Sequence, residues 1–187
     1  MSVYFIADTH FNHDREFIWG PRGFKSIQEM NETIVTNWNN TVKSSDTVYV
    51  LGDFFLGDDF DYIKNTISIL NGDIWLVRGN HDTNAKLELY HSLSPKILYA
   101  GLSYLMDYRG MHFYLSHYPT LTANLHDTRE TAVFNIHGHT HSKQRFYEDR
   151  PYMYNVACDA QNCTPVSFDQ IISDIDAEIE KCRSFLV

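Results

Sequence analysis

The sequence predicts an α/β fold built on a mixed sheet, and three observations carry that prediction. Short β-branched and aromatic runs recur along the chain at strand length. In the first half they alternate with segments of helical periodicity, while in the second half strand-like runs follow one another. Five of the runs end in a residue type that ligates metals: Val3 to Ala7 before Asp8 and His10, Thr47 to Leu51 before Asp53, Asp73 to Val77 before Asn80-His81-Asp82, His112 to Ser116 before His117, and Val133 to Ile136 before His137-Gly138-His139-Thr140-His141. Side chains at the carboxyl ends of such strands fall on one edge, where open α/β sheets bind their substrates.

Taken in order, the first run is a buried strand. Ser26 and Glu29 form a capping box, and Ile27, Met30, Ile34, Val35 and Trp38 recur at helical spacing, so a helix is expected from Ser26 to Val42. After the second strand the acidic group Asp58-Asp59-Asp61 suits a helix start. A helix is expected over Phe60 to Leu70, closed by the Asn71-Gly72 turn. The third strand leads to a short helix over Asn84 to His91. Between Leu98 and Ser116 the pattern changes: SYLMDY and MHFYLS flank Arg109-Gly110, which predicts a hairpin. Tyr152 to Ala157 reads as another strand. Phe168 to Phe185 reads as the last helix, with Ile171, Ile172, Ile175 and Ile179 on one face. The aperiodic stretch Pro119 to Thr131 lies between two ligand blocks and is expected to overhang the site.

The blocks Asp8-Thr9-His10, Gly52-Asp53, Gly79-Asn80-His81-Asp82, His117 and Gly138-His139-Thr140-His141 resemble, in that order, the calcineurin-like metallophosphoesterase superfamily. A single block is weak, since Gly-Asp and Gly-Asn are ordinary turn dipeptides; five in order, each after a strand-like run, are specific. The resemblance implies an αββα sandwich of two mixed sheets flanked by helices. It also implies two divalent ions, manganese first, with iron, zinc, nickel or cobalt as other occupants. Asp8, His10 and His141 would hold one ion and Asn80, His117 and His139 the other, with Asp53 bridging them through its two carboxylate oxygens. A water between the ions would attack phosphorus directly, with no covalent phosphoenzyme. His81 would protonate the leaving alkoxide, and Asp82 would fix its imidazole. The short chain, the early Phe11-Asn12-His13-Asp14-Arg15-Glu16 loop and Tyr154-Asn155-Val156 resemble the small bacterial and phage-type members.

His13 and Arg22 lie near the first ligands and are candidate substrate contacts, Arg22 as a bidentate grip on phosphate; a solvated loop arginine is the competing reading. Tyr118 either walls the cleft or packs. His137 alternates away from the last block and reads as structural, and His91, His112 and His126 read as ordinary surface or strand residues.

At 187 residues the chain is expected to form one domain, residues 1–187. A net charge of -9 argues against capture of duplex nucleic acid, which needs basic surface. It leaves a phosphate-ester substrate open, because bound cations invert the charge of a site. A small-molecule or nucleotide phosphodiesterase or phosphatase is therefore the first functional reading. A nuclease on single-stranded nucleic acid, using Lys143, Arg145 and Arg150, is the second, and a non-catalytic scaffold the third. Cys158, Cys163 and Cys182 show no zinc or redox spacing and read as reduced thiols. Charged residues interrupt the first stretch and no later run is long enough to span a membrane, so a cytoplasmic protein is expected.

Overall fold

The computed structural model describes residues 1–184 apart from 94 and 125; Phe185, the expected end of the last helix, lies outside the described residues. Strands β1 (Val3–Ile6), β2 (Thr47–Leu51), β3 (Asp73–Val77) and β4 (Ile97–Gly101) are parallel neighbours. A two-residue strand, β9 (Val166–Ser167), joins them antiparallel to β1, so the order is β4-β3-β2-β1-β9. The second sheet has the order β5-β6-β7-β8: β5 (Ser103–Tyr108) and β6 (Met111–Ser116) pair antiparallel, while β6, β7 (Val133–His137) and β8 (Met153–Asn155) run parallel. Two mixed sheets with flanking helices are the architecture that the resemblance implies.

Period-two alternation divides the first sheet between two cores. Ile6, Val48, Val50, Ile74 and Leu76 pack against helices α2 (Ile27–Thr41), α3 (Phe60–Ile69) and α4 (Asn84–Ser92). Phe5, Ala7, Tyr49, Leu51 and Val77 face the other way, onto Met111, Phe113, Leu115, Phe134 and Ile136 of the second sheet. Helix α5 (Phe168–Ser184) begins with Phe168, whose ring lies 4.8 Å from that of Phe5 and 4.7 Å from that of Phe113 and so wedges between the sheets.

Local chemistry places the elements. Ser26 Oγ accepts from the Glu29 N–H at 3.1 Å, and the Glu29 carboxylate reaches back to the Lys25 N–H at 2.7 Å, one residue outside the expected box. Asp59 caps α3 by accepting from the Tyr62 N–H, and Thr83 caps α4. Arg109 and Gly110 both have positive φ, the geometry of the tight turn that matches the twist of a hairpin. Sequence periodicity did not reveal α1 (Glu16–Trp19), β4 or β9. Helix α1 and β9 are very short, and α1 has no side-chain cap, so tertiary contacts define them.

Among its described residues, the stretch from Pro119 to Thr131 does not overhang the site as expected. Because β6 and β7 are parallel, the chain must travel back along the sheet between them. Thr120 N–H donates to Asn135 Oδ1 and Thr122 Oγ1 to the Val133 carbonyl, marking that return path.

Candidate metal centre

The loops after β1, β2, β3, β6 and β7 converge at one end of the sandwich. The parallel ladder continues beyond the strands: Asp8 N–H donates to the Gly52 carbonyl, His10 N–H to Asp53 and Phe11 N–H to Phe54, each at 3.0 Å. Six residues in these loops, Asp8, His10, Asn12, Asp53, His139 and His141, have φ between +48° and +72°. Left-handed backbone costs non-glycine residues free energy, is best tolerated by Asp, Asn and His, and concentrates at functional sites. Gly52, at φ +91°, has backbone that an L side chain rarely adopts, and a Cβ there would collide with His117 Nδ1.

The structure brings together all seven expected ligands in two adjoining sets. In the first, His10 Nε2 and His141 Nε2 are 3.2 Å apart and lie 3.9 and 3.8 Å from Asp8 Oδ1. In the second, Asn80 Oδ1 lies 2.9 Å from His117 Nε2 and 3.0 Å from His139 Nδ1. Asp53 Oδ2 stands between the sets, 3.7 Å from His10 Nε2 and 3.5 Å from His117 Nε2. Its Oδ1 accepts from the His81 N–H at 2.8 Å.

The donor chemistry fits divalent cations. Asp8 Oδ2 accepts from the His139 N–H, whereas Asp8 Oδ1 is buried without a hydrogen-bond partner among the described residues and faces two ring nitrogens. Burial raises the Asp8 carboxyl to about 6 and holds the His10 imidazole down at about 2. Neutral nitrogens and a carboxylate short of counter-charge are the donor set that a divalent ion satisfies.

A brace behind the first set was not expected from sequence. His141 Nδ1 lies 3.0 Å from Asp159 Oδ2. Arg22 grips the same carboxylate through Nε at 3.2 Å and Nη2 at 2.8 Å, and Nη2 also donates to the Asp8 carbonyl at 2.7 Å. Burial alone would raise Asp159, but the hydrogen bonds with His141 and Arg22 outweigh it and bring the carboxyl to about 2. The Arg22 side chain is only 2 % exposed. The expected phosphate grip is thus corrected: its donors are committed behind the ligands. Asp159 carried the same signal as the other blocks, since it follows the apolar run ending in Ala157-Cys158.

Asp82 is also placed differently. Its Oδ2 accepts from the Asp53 and Gly79 N–H groups, both at 2.8 Å, and Tyr90 Oη lies 3.4 Å from Oδ1. It therefore clamps the backbone of two ligand loops; none of its hydrogen bonds reaches the His81 imidazole, because its carboxylate is turned inward and wholly buried while the imidazole is exposed. His81 itself is fixed through its peptide, with Lys86 Nζ donating to its carbonyl at 2.8 Å, and its ring centroid lies 5.5 Å from that of His10. His13 is 6 % exposed beside them, its ring 5.3 Å from His10. His117 Nδ1 lies 2.9 Å from the Leu51 carbonyl, which leaves Nε2 to the centre. Tyr118 is half exposed, its ring 4.6 Å from that of His139. His137 is buried, with Nδ1 2.8 Å from the Gly138 carbonyl.

The family model for the calcineurin-like phosphoesterase superfamily domain matches residues 1–162. The chain is 32 % identical over 183 residues to the uncharacterized protein MJ1445 of Methanocaldococcus jannaschii, covering 94 % of this chain and 92 % of that one. Among solved structures, AQ665 of Aquifex aeolicus, a protein of unknown function, superposes with a TM-score of 0.69 at 26 % identity, covering 92 % of this chain and 98 % of that one. The phosphoesterase Yfce of E. coli matches at 14 % identity with a TM-score of 0.40, over 84 % of this chain and 78 % of that one.

Proposed function

Because the chain belongs to the calcineurin-like phosphoesterase superfamily, we propose that it works as one catalytic domain that hydrolyses small-molecule or nucleotide phosphate esters, diesters first, with two divalent ions of which manganese is the first choice. The observation that carries this reading is Asp53 Oδ2, which stands within 3.7 Å of His10 Nε2 and 3.5 Å of His117 Nε2 and so reaches into both donor sets. Asp8, His10, Asp53 and His141 would hold one ion; Asp53, Asn80, His117 and His139 the other. Bound there, the pair would supply positive charge to the phosphoryl oxygens and a nucleophile at neutral pH.

The chain's own groups supply the rest. His81 holds a proton at an exposed ring nitrogen beside the first set and delivers it to the leaving oxygen. Its peptide cannot drift, because Asp53 accepts from its N–H and Lys86 donates to its carbonyl. Arg22 and Asp159 keep His141 in the tautomer whose Nε2 lone pair faces the centre, and Asp82 keeps the Asp53 and Gly79 loops in register.

The nuclease reading loses support from the charges it needs. Arg145 is paired with Asp174 at 2.9 Å and Arg150 with Glu148 at 3.3 Å, which leaves a thin basic surface. No helix among the described residues is long and apolar enough to cross a membrane.

The test is turnover of bis(p-nitrophenyl) phosphate against p-nitrophenyl phosphate by metal-stripped protein reloaded with manganese. The reading expects metal-dependent hydrolysis, faster on the diester, that Asp53→Ala abolishes. No hydrolysis of either ester by protein that binds two ions overturns it in favour of the scaffold.

A further inference from the structure

Beside the first donor set lies a cavity of about 390 Å³ whose walls include His10 and His141 on one side and His81 on another. The rest of its lining is supplied by the loop and short helix after β1: His13, Phe17, Ile18 and Pro21. A substituent on the oxygen that His81 protonates has this space to occupy, since the cavity opens directly from that imidazole.

The chemistry of the walls restricts that substituent. Among the described residues no lysine or arginine lines the cavity, and the charge of its one carboxylate, Asp159, is already taken up by Arg22 and His141. Phe17 is 68 % exposed, a large aromatic surface held open at the mouth of a polar site, and its ring packs edge-on against His13 at 5.5 Å. Covering such a surface with a flat ring gains dispersion and hydrophobic free energy, and stacking tolerates any planar ring. His13 Nδ1 is buried and has no hydrogen-bond partner among the described residues. The volume lies at the lower end of the roughly 300–1,000 Å³ range of small-ligand pockets, which admits one nucleoside-sized group and not a strand.

We propose that this cavity is the leaving-group pocket and that it takes an uncharged, ring-bearing alcohol of nucleoside size, with Phe17 and His13 as its specificity determinants; the assignment rests on the phosphoesterase reading of the adjoining centre. In the step served, water bonds to phosphorus as the bond to the alcohol oxygen breaks. The leaving oxygen takes the proton of His81, and the imidazole is reprotonated from the water consumed. The products are a phosphate, with one ester bond fewer, and the neutral alcohol.

The experiment compares two pairs of esters on manganese-loaded protein: methyl adenosine 5′-phosphate against methyl ribose 5-phosphate, and AMP against ribose 5-phosphate. In each pair an anomeric hydroxyl replaces the base, and using both covers diester and monoester chemistry. Wild type should favour the base-bearing member at least tenfold in kcat/KM, chiefly through KM. Phe17→Ala should cut that ratio at least fivefold, His13→Gln should lower it less, and Phe17→Tyr should restore it. Equal kcat/KM within each pair, or a Phe17→Ala loss that falls equally on both members, overturns the assignment. Hydrolysis of bis(p-nitrophenyl) phosphate with none of the four esters also overturns it and leaves the phosphoesterase reading intact. If nothing is hydrolysed the reading itself fails. Calorimetric binding of AMP against ribose 5-phosphate then decides the pocket: tenfold tighter AMP binding that weakens in Phe17→Ala supports it, and equal binding overturns it.

Discussion

Arg22 and Asp159, 137 positions apart, form a buried two-bond pair at 2.8 and 3.2 Å, and the same carboxylate lies 3.0 Å from the ring of His141. The pair makes an expected histidine ligand depend on an arginine near the start of the chain. Asp159→Asn keeps the volume, loses the charge and frees the tautomer of His141. Metal affinity at the first set should fall by roughly 10- to 100-fold, the usual effect of losing an outer partner of a ligand. Titration calorimetry with manganese checks this: one of two sites should weaken while the other holds.

His81→Ala should lower kcat on an unactivated ester by about 10²- to 10⁴-fold, the range of general acid catalysis. The loss should be much smaller on bis(p-nitrophenyl) phosphate, whose leaving group needs little protonation, and the metal content should stay at the wild-type value. Equal losses on both esters would falsify the proton-donor role.

Asp82→Ala leaves the buried N–H groups of Asp53 and Gly79 without their acceptor. A buried unsatisfied donor costs about 1–3 kcal/mol, so the variant should show a lower Tm and poor metal retention together. If Asp82 acted only through the His81 imidazole, Tm would not move and only kcat would fall.

Gly52→Ala forces a side chain into left-handed backbone and against His117. The second set should be lost before the first, read as manganese stoichiometry falling from two ions toward one in a protein that retains its far-ultraviolet circular dichroism.

Asp46 ties the start of β1 to the loop before β2 by accepting from the Ser2 N–H at 2.7 Å and the Lys43 N–H at 3.0 Å. These bonds favour the carboxylate and lower its folded pKa below the ordinary 3.8. A depressed folded pKa stabilises above the unfolded value and ceases to do so as pH falls through the folded one. Asp46→Asn should therefore cost about 1 kcal/mol at pH 7, with the difference from wild type shrinking below roughly pH 4. Denaturant melts across that range decide it; a pH-independent difference would rule the carboxylate out.

Much of this molecule could be read from local signals. The strands Thr47–Leu51, Asp73–Val77, Ser103–Tyr108 and Met111–Ser116 stand where the apolar runs placed them. The Ser26 cap and the Arg109-Gly110 turn formed for the same reason: neighbouring residues carry the whole interaction. The seven expected ligands converge because each ends a parallel strand, and parallel strands deliver their carboxyl ends to one edge. What each polar side chain does at that edge was not local. Arg22 reads as a free loop cation until Asp159 is brought back to it, and Asp82 reads as a partner of its neighbour until the fold sets it under Asp53. Strand β9 exists only because β1 offers it an edge. Periodicity and residue chemistry thus determined which residues gather at that edge. Only the tertiary structure decided which of them face it and which hold the others in place, because a hydrogen bond's direction and a side chain's burial depend on residues far along the chain.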